Sequence, residues 1–241
     1  MLPSVLVAWI ATIALPAYVA ASNMGSTPPR LPLYFETDLE IFSHLIDASA
    51  SYPPALRKMK IRYDYTQGLA RADILAGYDK GKSYIRRYDS KREYKVRYGK
   101  YKNCERAYLG EEMPIPDLPR DLVYQGNQHV LGQECELWSF DIPHTLLRIH
   151  VFESVDTQVP MRLTQESQDD VGDWLPVITY DFVNLKVEPQ VRRHVRPVSH
   201  VFSNAQEMKS FDIPGGYTHD TCTRSVVGFP YIHIFEHYLR F

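Results

Sequence analysis

The residues best spaced for chemistry lie near the C-terminal end of the 241-residue chain. "HIFEH", His233 to His237, fits the His-x-x-Glu-His pattern. In that pattern two imidazoles four positions apart share a helix face and hold zinc, with Glu236 as base. Such a site also needs a third protein ligand. Only four residues follow His237, and Tyr231, Ile234, Phe235, Tyr238 and Phe241 have the character of packing residues. The stretch therefore reads as an aromatic tail, with a metallopeptidase as the alternative. "YTHDTC" brings His219, Asp220 and Cys222 together, as a metal site or a Cys–His nucleophile would. In a secreted chain, though, a bridged Cys222 is expected. Asp64 and Asp73 flank a glycine turn in "RYDYTQGLARADILAG" and could be imagined as two acids, but Arg62 and Arg71 are placed to neutralise them across the hairpin. His144, His150, His194 and His200 are scattered and read as structural or surface groups. There is no Gly-x-Ser-x-Gly elbow, phosphate loop or dinucleotide fingerprint. No catalytic residue, metal or cofactor is assigned, and the chain is expected not to be an enzyme.

The elements that would position any site are strands. "FETDLEIF" (35–42) alternates Phe35, Thr37, Leu39 and Ile41 with Glu36, Asp38 and Glu40, which is period two. Thr37 and Glu40 also fit a capping box, so a helix is the runner-up there. From Ala55 to Ala107 the pattern is a β-meander, with turns at Thr66–Gly68, "DKGK" and "DSKR". Tyr94, Val96 and Tyr98 share one face of "EYKVRYG", and Lys95 and Arg97 the other. Three prolines exclude a helix from residues 110–120. "CELWSFDI", "TLLRIHVFES", "MRLTQES" and "WLPVITYDFVNLKV" read as further strands, the last long or broken at Pro176. "FDIPGGYTHDTC" reads as a loop. Many strands and few helices predict an all-β barrel or strongly bent sheet.

Residues 5–20 are almost wholly apolar, and "VAAS" follows Pro16 and its neighbours. This predicts a signal peptide over 1–21, cleaved between Ala21 and Ser22, despite the missing basic residue before it. Residues 22–34, rich in Pro and small polar residues, are expected to form a flexible arm, and 35–241 a single domain. Secretion, or the lumen of an endomembrane or lysosomal compartment, follows. The three cysteines allow one internal bridge and leave one thiol. The net charge of -2 hides an asymmetry: residues 57–106 hold sixteen Lys/Arg against six Asp/Glu. Interleaved with tyrosines, these cations suit a solvated outer face, an anionic lipid or a sulfated glycan. Secretion argues against nucleic acid.

Tyr63, Asp64, Arg71, Asp73 and Gly77 of the "YDYTQGLARADILAG" hairpin resemble a signature in the N-terminal accessory region of some secreted papain-type proteinases, among them the counting-factor-associated and insect two-chain enzymes. Ile74 and Leu75 stand where aromatics are usual. "NCERAY", "GQECELWSF", "LRIHVFES", "VPMRLTQES", "ITYDFVNLKV" and "CTRSVVGFP" follow in the family's order. The resemblance covers about residues 35–230 and implies a LolA-like fold: an incomplete, strongly curved antiparallel β-barrel with an apolar concave face. It implies no papain catalytic cysteine within these 241 residues. It also suggests pairing Cys104 with Cys222, leaving Cys135 as a thiol buried behind Trp138.

The expected function is a non-catalytic domain holding a lipid or other apolar ligand. The candidate lining residues are Tyr63, Tyr65, Tyr94, Val96, Tyr98, Trp138, Phe140, Leu147 and Ile149. Periodicity alone leaves open whether they fill a core or line a cavity. The alternative is an interaction module docking on a separate peptidase or other protein, through the basic face or the aromatic tail.

Overall fold

The computed structural model describes residues 27–49, 53–187 and 211–229. The expected signal peptide and the "HIFEH" motif lie outside them. The described chain forms one twelve-stranded sheet, strongly curved and open. Its strands are β1 (Tyr34–Ser43), β2 (Leu56–Asp64), β3 (Leu69–Ala76), β4 (Lys82–Arg87), β5 (Arg92–Arg97), β6 (Asn103–Tyr108), β7 (Val123–Val130), β8 (Gln133–Asp141), β9 (Leu147–Ser154), β10 (Pro160–Gln168), β11 (Trp174–Val187) and β12 (Thr223–Arg224). A 3-10 turn, Tyr88–Ser90, joins β4 to β5.

The spatial order is β12-β6-β5-β4-β3-β2-β1-β11-β10-β9-β8-β7. All the pairings are antiparallel except the short β12–β6 pair, which is parallel. β1 lies at the centre and joins two meanders, β2–β6 and β7–β11. It is a strand throughout, as its period-two pattern predicts, and the capping-box alternative does not form. β11 is continuous through Pro176 but carries an extra residue beside it: Gln165 and Glu166 of β10 oppose Ile178 and Pro176, so Val177 bulges out of register.

This order dictates the curvature. β6 and β7 are consecutive in sequence yet ten strand spacings apart, or about 48 Å across a flat sheet. The connecting residues 109–122 reach about 50 Å at full stretch. They carry Pro114, Pro116 and Pro119 and make a local bond from Asp117 N to the Ile115 carbonyl (2.8 Å), so they are not fully stretched. The sheet must curl until its edges approach.

Cross-strand register assigns the faces, because directly opposed residues point the same way. Phe35 opposes Tyr63, Leu39 opposes Met59 and Phe182, and Leu163 opposes Tyr180 and Val151. These residues line the concave face and belong to the main core, which also holds Ile61, Ile74, Tyr84, Trp138 and Ile149. Tyr63, Leu39 and Val151 are wholly inaccessible. Complete burial of such side chains contributes about 1.5–3 kcal/mol each. The expected arm is docked at its C-terminal end: Leu31 is buried in this core, and the Leu33 carbonyl accepts from Tyr65 N at 2.9 Å.

The β2–β3 hairpin proves architectural. Asp73 accepts from Arg62 (2.9 Å) and Arg71 (2.8 Å), while Asp64 accepts from Gln67 N (3.0 Å) and closes the turn. Gly68 in that turn has φ +68°, and a side chain there would press on the Asp89 backbone at 3.1 Å.

On the convex face, loop 211–222 covers Ile85, Tyr94 and Val96 and is fastened by the Cys104–Cys222 disulfide. The free thiol is Cys135, fully buried beside Val130, Leu137 and Phe152. It lies on the opposite sheet face from Trp138, because 135 and 138 differ in strand parity.

Candidate functional site

The concave face brings together part of the predicted lining. Tyr63, Trp138 and Ile149 are core members, and Tyr65 and Phe140 pack against them. Leu147 shares the parity of Ile149 on β9 and is half-buried. Tyr94, Val96 and Tyr98 are different. They do share a face, but it is the convex one: Val96 opposes Ser83 and Cys104, and Tyr94 opposes Ile85. The disulfide-bound loop buries Tyr94 and Val96, while Tyr98 is exposed and hydrogen-bonds Ser83 (2.9 Å). The alternation was readable; which side faced inward was set by pairing with distant strands. Ile74 faces the core and Leu75 is half exposed on the other side, so only Ile74 belongs to the wall.

The same inversion places Arg86 on the concave face, where the basic meander was expected to turn tyrosines. Arg86 is 8% exposed and Glu93, directly opposite it, 3%. Their ion pair spans 3.3 Å, and Arg86 also reaches Glu111 (2.5 Å) and the Phe229 carbonyl (3.3 Å). Glu93 accepts from Phe229 N at 2.8 Å. Both backbone groups of Phe229 are thus held by one buried ion pair, and Lys95 lies 4.9 Å over the Phe229 ring. Burial pushes the Glu93 carboxyl above its ordinary value, opposed by the Phe229 N–H and Arg86. Residues 222–229 therefore wrap the β6 edge, from the disulfide on the convex face to Phe229 in the concave core.

Residues 109–122 form a strap over the concave face. Leu118 and Leu122 are buried in the core and Met113 packs against it. Side chains tie the strap to the sheet: Tyr63 Oη donates to the Pro114 carbonyl, and Arg86 reaches Glu111. The three prolines prevent the strap from joining the sheet as a central strand. The largest apolar face is therefore closed by side chains and not by a backbone ladder.

Polar atoms interrupt this apolar wall at β8–β10. Trp138 Nε1 and Gln165 Oε1 are buried with no hydrogen-bond partner among the described residues. Leaving such an atom unmet costs about 1–3 kcal/mol. Two residues along from Trp138, Glu136 opposes Glu153 in register. Burial, and then repulsion from Glu136, pushes the Glu153 carboxyl up to about 7.

One arrangement resembles catalytic machinery, and sequence reasoning missed it. Ser139, His150 and Glu166 come together on the convex face of β8, β9 and β10. Ser139 Oγ lies 2.6 Å from His150 Nδ1, and His150 Nε2 lies 2.9 Å from Glu166. With Glu166 accepting from Nε2–H, Nδ1 accepts the serine hydroxyl proton. Acyl transfer also needs preorganised donors for the oxyanion. Ser139 sits directly opposite His150 in a regular ladder, which occupies the neighbouring backbone N–H groups, and it is 8% exposed. The trio therefore reads as a polar cross-strand row. In the same way Tyr94 and Arg106 engage His219, and the disulfide engages Cys222. Among the described residues, no group of three or more His, Cys, Asp or Glu is placed to hold a metal ion.

No protein-family model matches the sequence, and no curated protein matches it. Among solved structures, an uncharacterized conserved protein from Thermus thermophilus aligns over 80% of this chain and 90% of its own, with a TM-score of 0.44 and 11% identity. A chain of the Pseudomonas aeruginosa MucA/MucB complex aligns over 64% of this chain and 51% of its own, at TM-score 0.38 and 12% identity. A candidate outer membrane lipoprotein-sorting domain from Vibrio parahaemolyticus aligns over 66% and 87%, at TM-score 0.27 and 10% identity.

Proposed function

We propose that this chain is a non-catalytic carrier that seats one acyl-like apolar ligand on the concave face, between the strap and strands β8–β11. The observation that carries the reading is the cover. The apolar wall, interrupted by few polar groups, is closed by Leu118, Leu122 and Met113 of a proline-broken strap, without a layer of strands or helices among the described residues. A cover held by side chains can lift at a cost of a few buried contacts, and an acyl chain replaces those contacts in kind. The partnerless Trp138 Nε1 and Gln165 Oε1 suit a ligand with one polar end. The resemblance to LolA-like accessory regions supports the same reading. The disulfide supports secretion or a lumenal compartment, where such bonds persist.

The full chain, delipidated and mixed with a long-chain fatty acid, is expected to give a one-to-one adduct in native mass spectrometry. Recovery of only unliganded protein across a wide excess of fatty acid overturns the carrier reading. The second reading, a module that docks on a peptidase or other protein, is favoured by β7. Among the described residues this eight-residue strand pairs only with β8, at the sheet edge, and it carries no Lys, Arg, Asp, Glu or Pro. An uncharged edge is a ready template for strand addition. A protein that takes up no fatty acid leaves this second reading as the account of the fold.

A further inference from the structure

The geometry points to a phosphate- or sulfate-ester binding cleft on the convex face, formed by Lys91, Arg92, Arg106, Arg224 and His219. It is independent of the apolar wall, which faces the other way.

The argument begins with the fate of the basic meander. Eight of its sixteen cations are neutralised on folding. Lys58, Lys60 and Arg62 pair with Glu40 and Glu36 of β1, and Arg62 and Arg71 with Asp73. Lys82 pairs with Asp79, Arg86 with Glu93 and Glu111, Arg87 with Asp89 and Lys95 with Glu105. Half of the charge of this stretch is thus answered by carboxylates of the fold. Three of the other eight cations gather at one place, joined by Arg224. Lys91, Arg92, Arg106 and Arg224 surround one cleft of about 340 Å³ with His219, Tyr108 and Ser90, and no acidic side chain among the described residues lines it.

The backbone forces this crowding. Arg224 lies directly opposite Arg106 in the parallel β12–β6 pair, and Cys222 and Cys104, each two residues earlier in the sequence, are covalently joined. Like charges directly opposed in a sheet are destabilising. Here the disulfide holds them in register at the sheet edge, and Arg92 joins them from β5, opposite Tyr108. Arg106 is oriented further. Its Nε donates to the Cys222 carbonyl at 3.1 Å and its Nη1 to His219 Nε2, leaving His219 Nδ1–H to donate to Tyr94 Oη at 3.0 Å. That tautomer requires a neutral imidazole. Burial, and then the charges of Arg106 and Arg92, lower the His219 pKa, with Asp220 opposing. Guanidinium forks converging with an ammonium group match the several acceptor oxygens of a tetrahedral ester anion. The exposed Tyr108 ring offers a flat wall for the group that carries the anion.

The test uses the full chain and two probes: inorganic phosphate, and phosphatidylcholine vesicles containing phosphatidic acid. Calorimetric titration with phosphate is expected to be saturable. Affinity should fall about tenfold in the Arg92→Gln/Arg224→Gln variant, the scale of losing two charge-assisted contacts. Lys80→Gln/Lys102→Gln removes the same charge from exposed positions outside the cleft and should leave affinity within about twofold. Arg92 and Arg224 are exposed, as are Lys80 and Lys102, so neither variant is expected to melt below the wild type, and relief of repulsion in the cleft variant acts only to raise its melt. Vesicle binding without phosphate binding, lost in the cleft variant alone, assigns the site to a lipid headgroup. Phosphate binding without vesicle binding assigns it to a soluble ester. Failure of both probes, or equal loss in the two variants, overturns the proposal.

Discussion

Replacing Cys104 and Cys222 by serine is expected to lower the unfolding free energy by about 5 kcal/mol. The two cysteines are 118 residues apart, so the bond closes nearly half of the chain. Chain entropy makes such a link more valuable as its loop lengthens, with about 4.7 kcal/mol for 100 residues. The native side adds to this. Loop 211–222 has little regular structure, yet with Cys222 it covers Ile85, Tyr94 and Val96. Without the bond this cover must hold by packing alone, and Arg106 and Arg224 are free to separate. Urea unfolding of the double variant beside the wild type measures the difference. A loss below about 1 kcal/mol would show that loop packing suffices and that the bond constrains little. Cys135 is not a source of exchange in the native state. It is fully buried, and burial raises its pKa, so the reactive thiolate is scarce.

The second large effect is a pH dependence centred on Glu153. Its carboxyl rises from an ordinary 4.5 to about 7 because burial penalises the charge and Glu136 opposes it. Between those values the folded chain binds more protons than the unfolded one. The contribution of Glu153 is therefore fully present below the ordinary carboxylate value and is lost as pH rises through about 7. The shift corresponds to about 3 kcal/mol. Glu153→Gln removes the ionisation while keeping the shape. The variant is expected to match the wild type near about pH 4 and to exceed its stability by about 2–3 kcal/mol near pH 8. Glu93, also raised by burial, titrates in the same sense, whereas Asp89, held low by Arg87, favours folding as pH rises. The difference between variant and wild type removes those common contributions. Urea unfolding at several pH values reads it directly, and a gap that stays constant with pH would contradict the assignment.

Much of the architecture was legible because sheets write their faces into period two. Phe35, Leu39 and Ile41 against Glu36, Asp38 and Glu40 announce β1, and the structure buries the first set and pairs Glu36 and Glu40 with cations of β2. The pairing of Arg62 and Arg71 with Asp73 was equally local. What escaped was set by distant partners. Arg86 and Glu93 stand at inward positions of β4 and β5, and only the whole sheet order shows that this face is the concave one. Tyr94, Val96 and Tyr98 were assigned inward for the converse reason. β7 has too few apolar residues to alternate visibly, because it is an edge strand and mostly exposed. The Ser139–His150–Glu166 row spans three strands, and no spacing within any one of them encodes it. The basic stretch showed its charge but not its neutralisation, since Glu36, Glu40 and Glu111 arrive from outside it.

The central claim is that an acyl chain lies against Trp138 beneath the strap. It is tested most directly by a brominated fatty acid, which quenches tryptophan fluorescence at close contact. With Trp9 and Trp174 replaced by phenylalanine, Trp138 is the only fluorescent indole in the chain. The account predicts saturable quenching that is complete at one equivalent and absent with the unbrominated acid. Fatty acid that binds the protein while leaving Trp138 emission unquenched would contradict it.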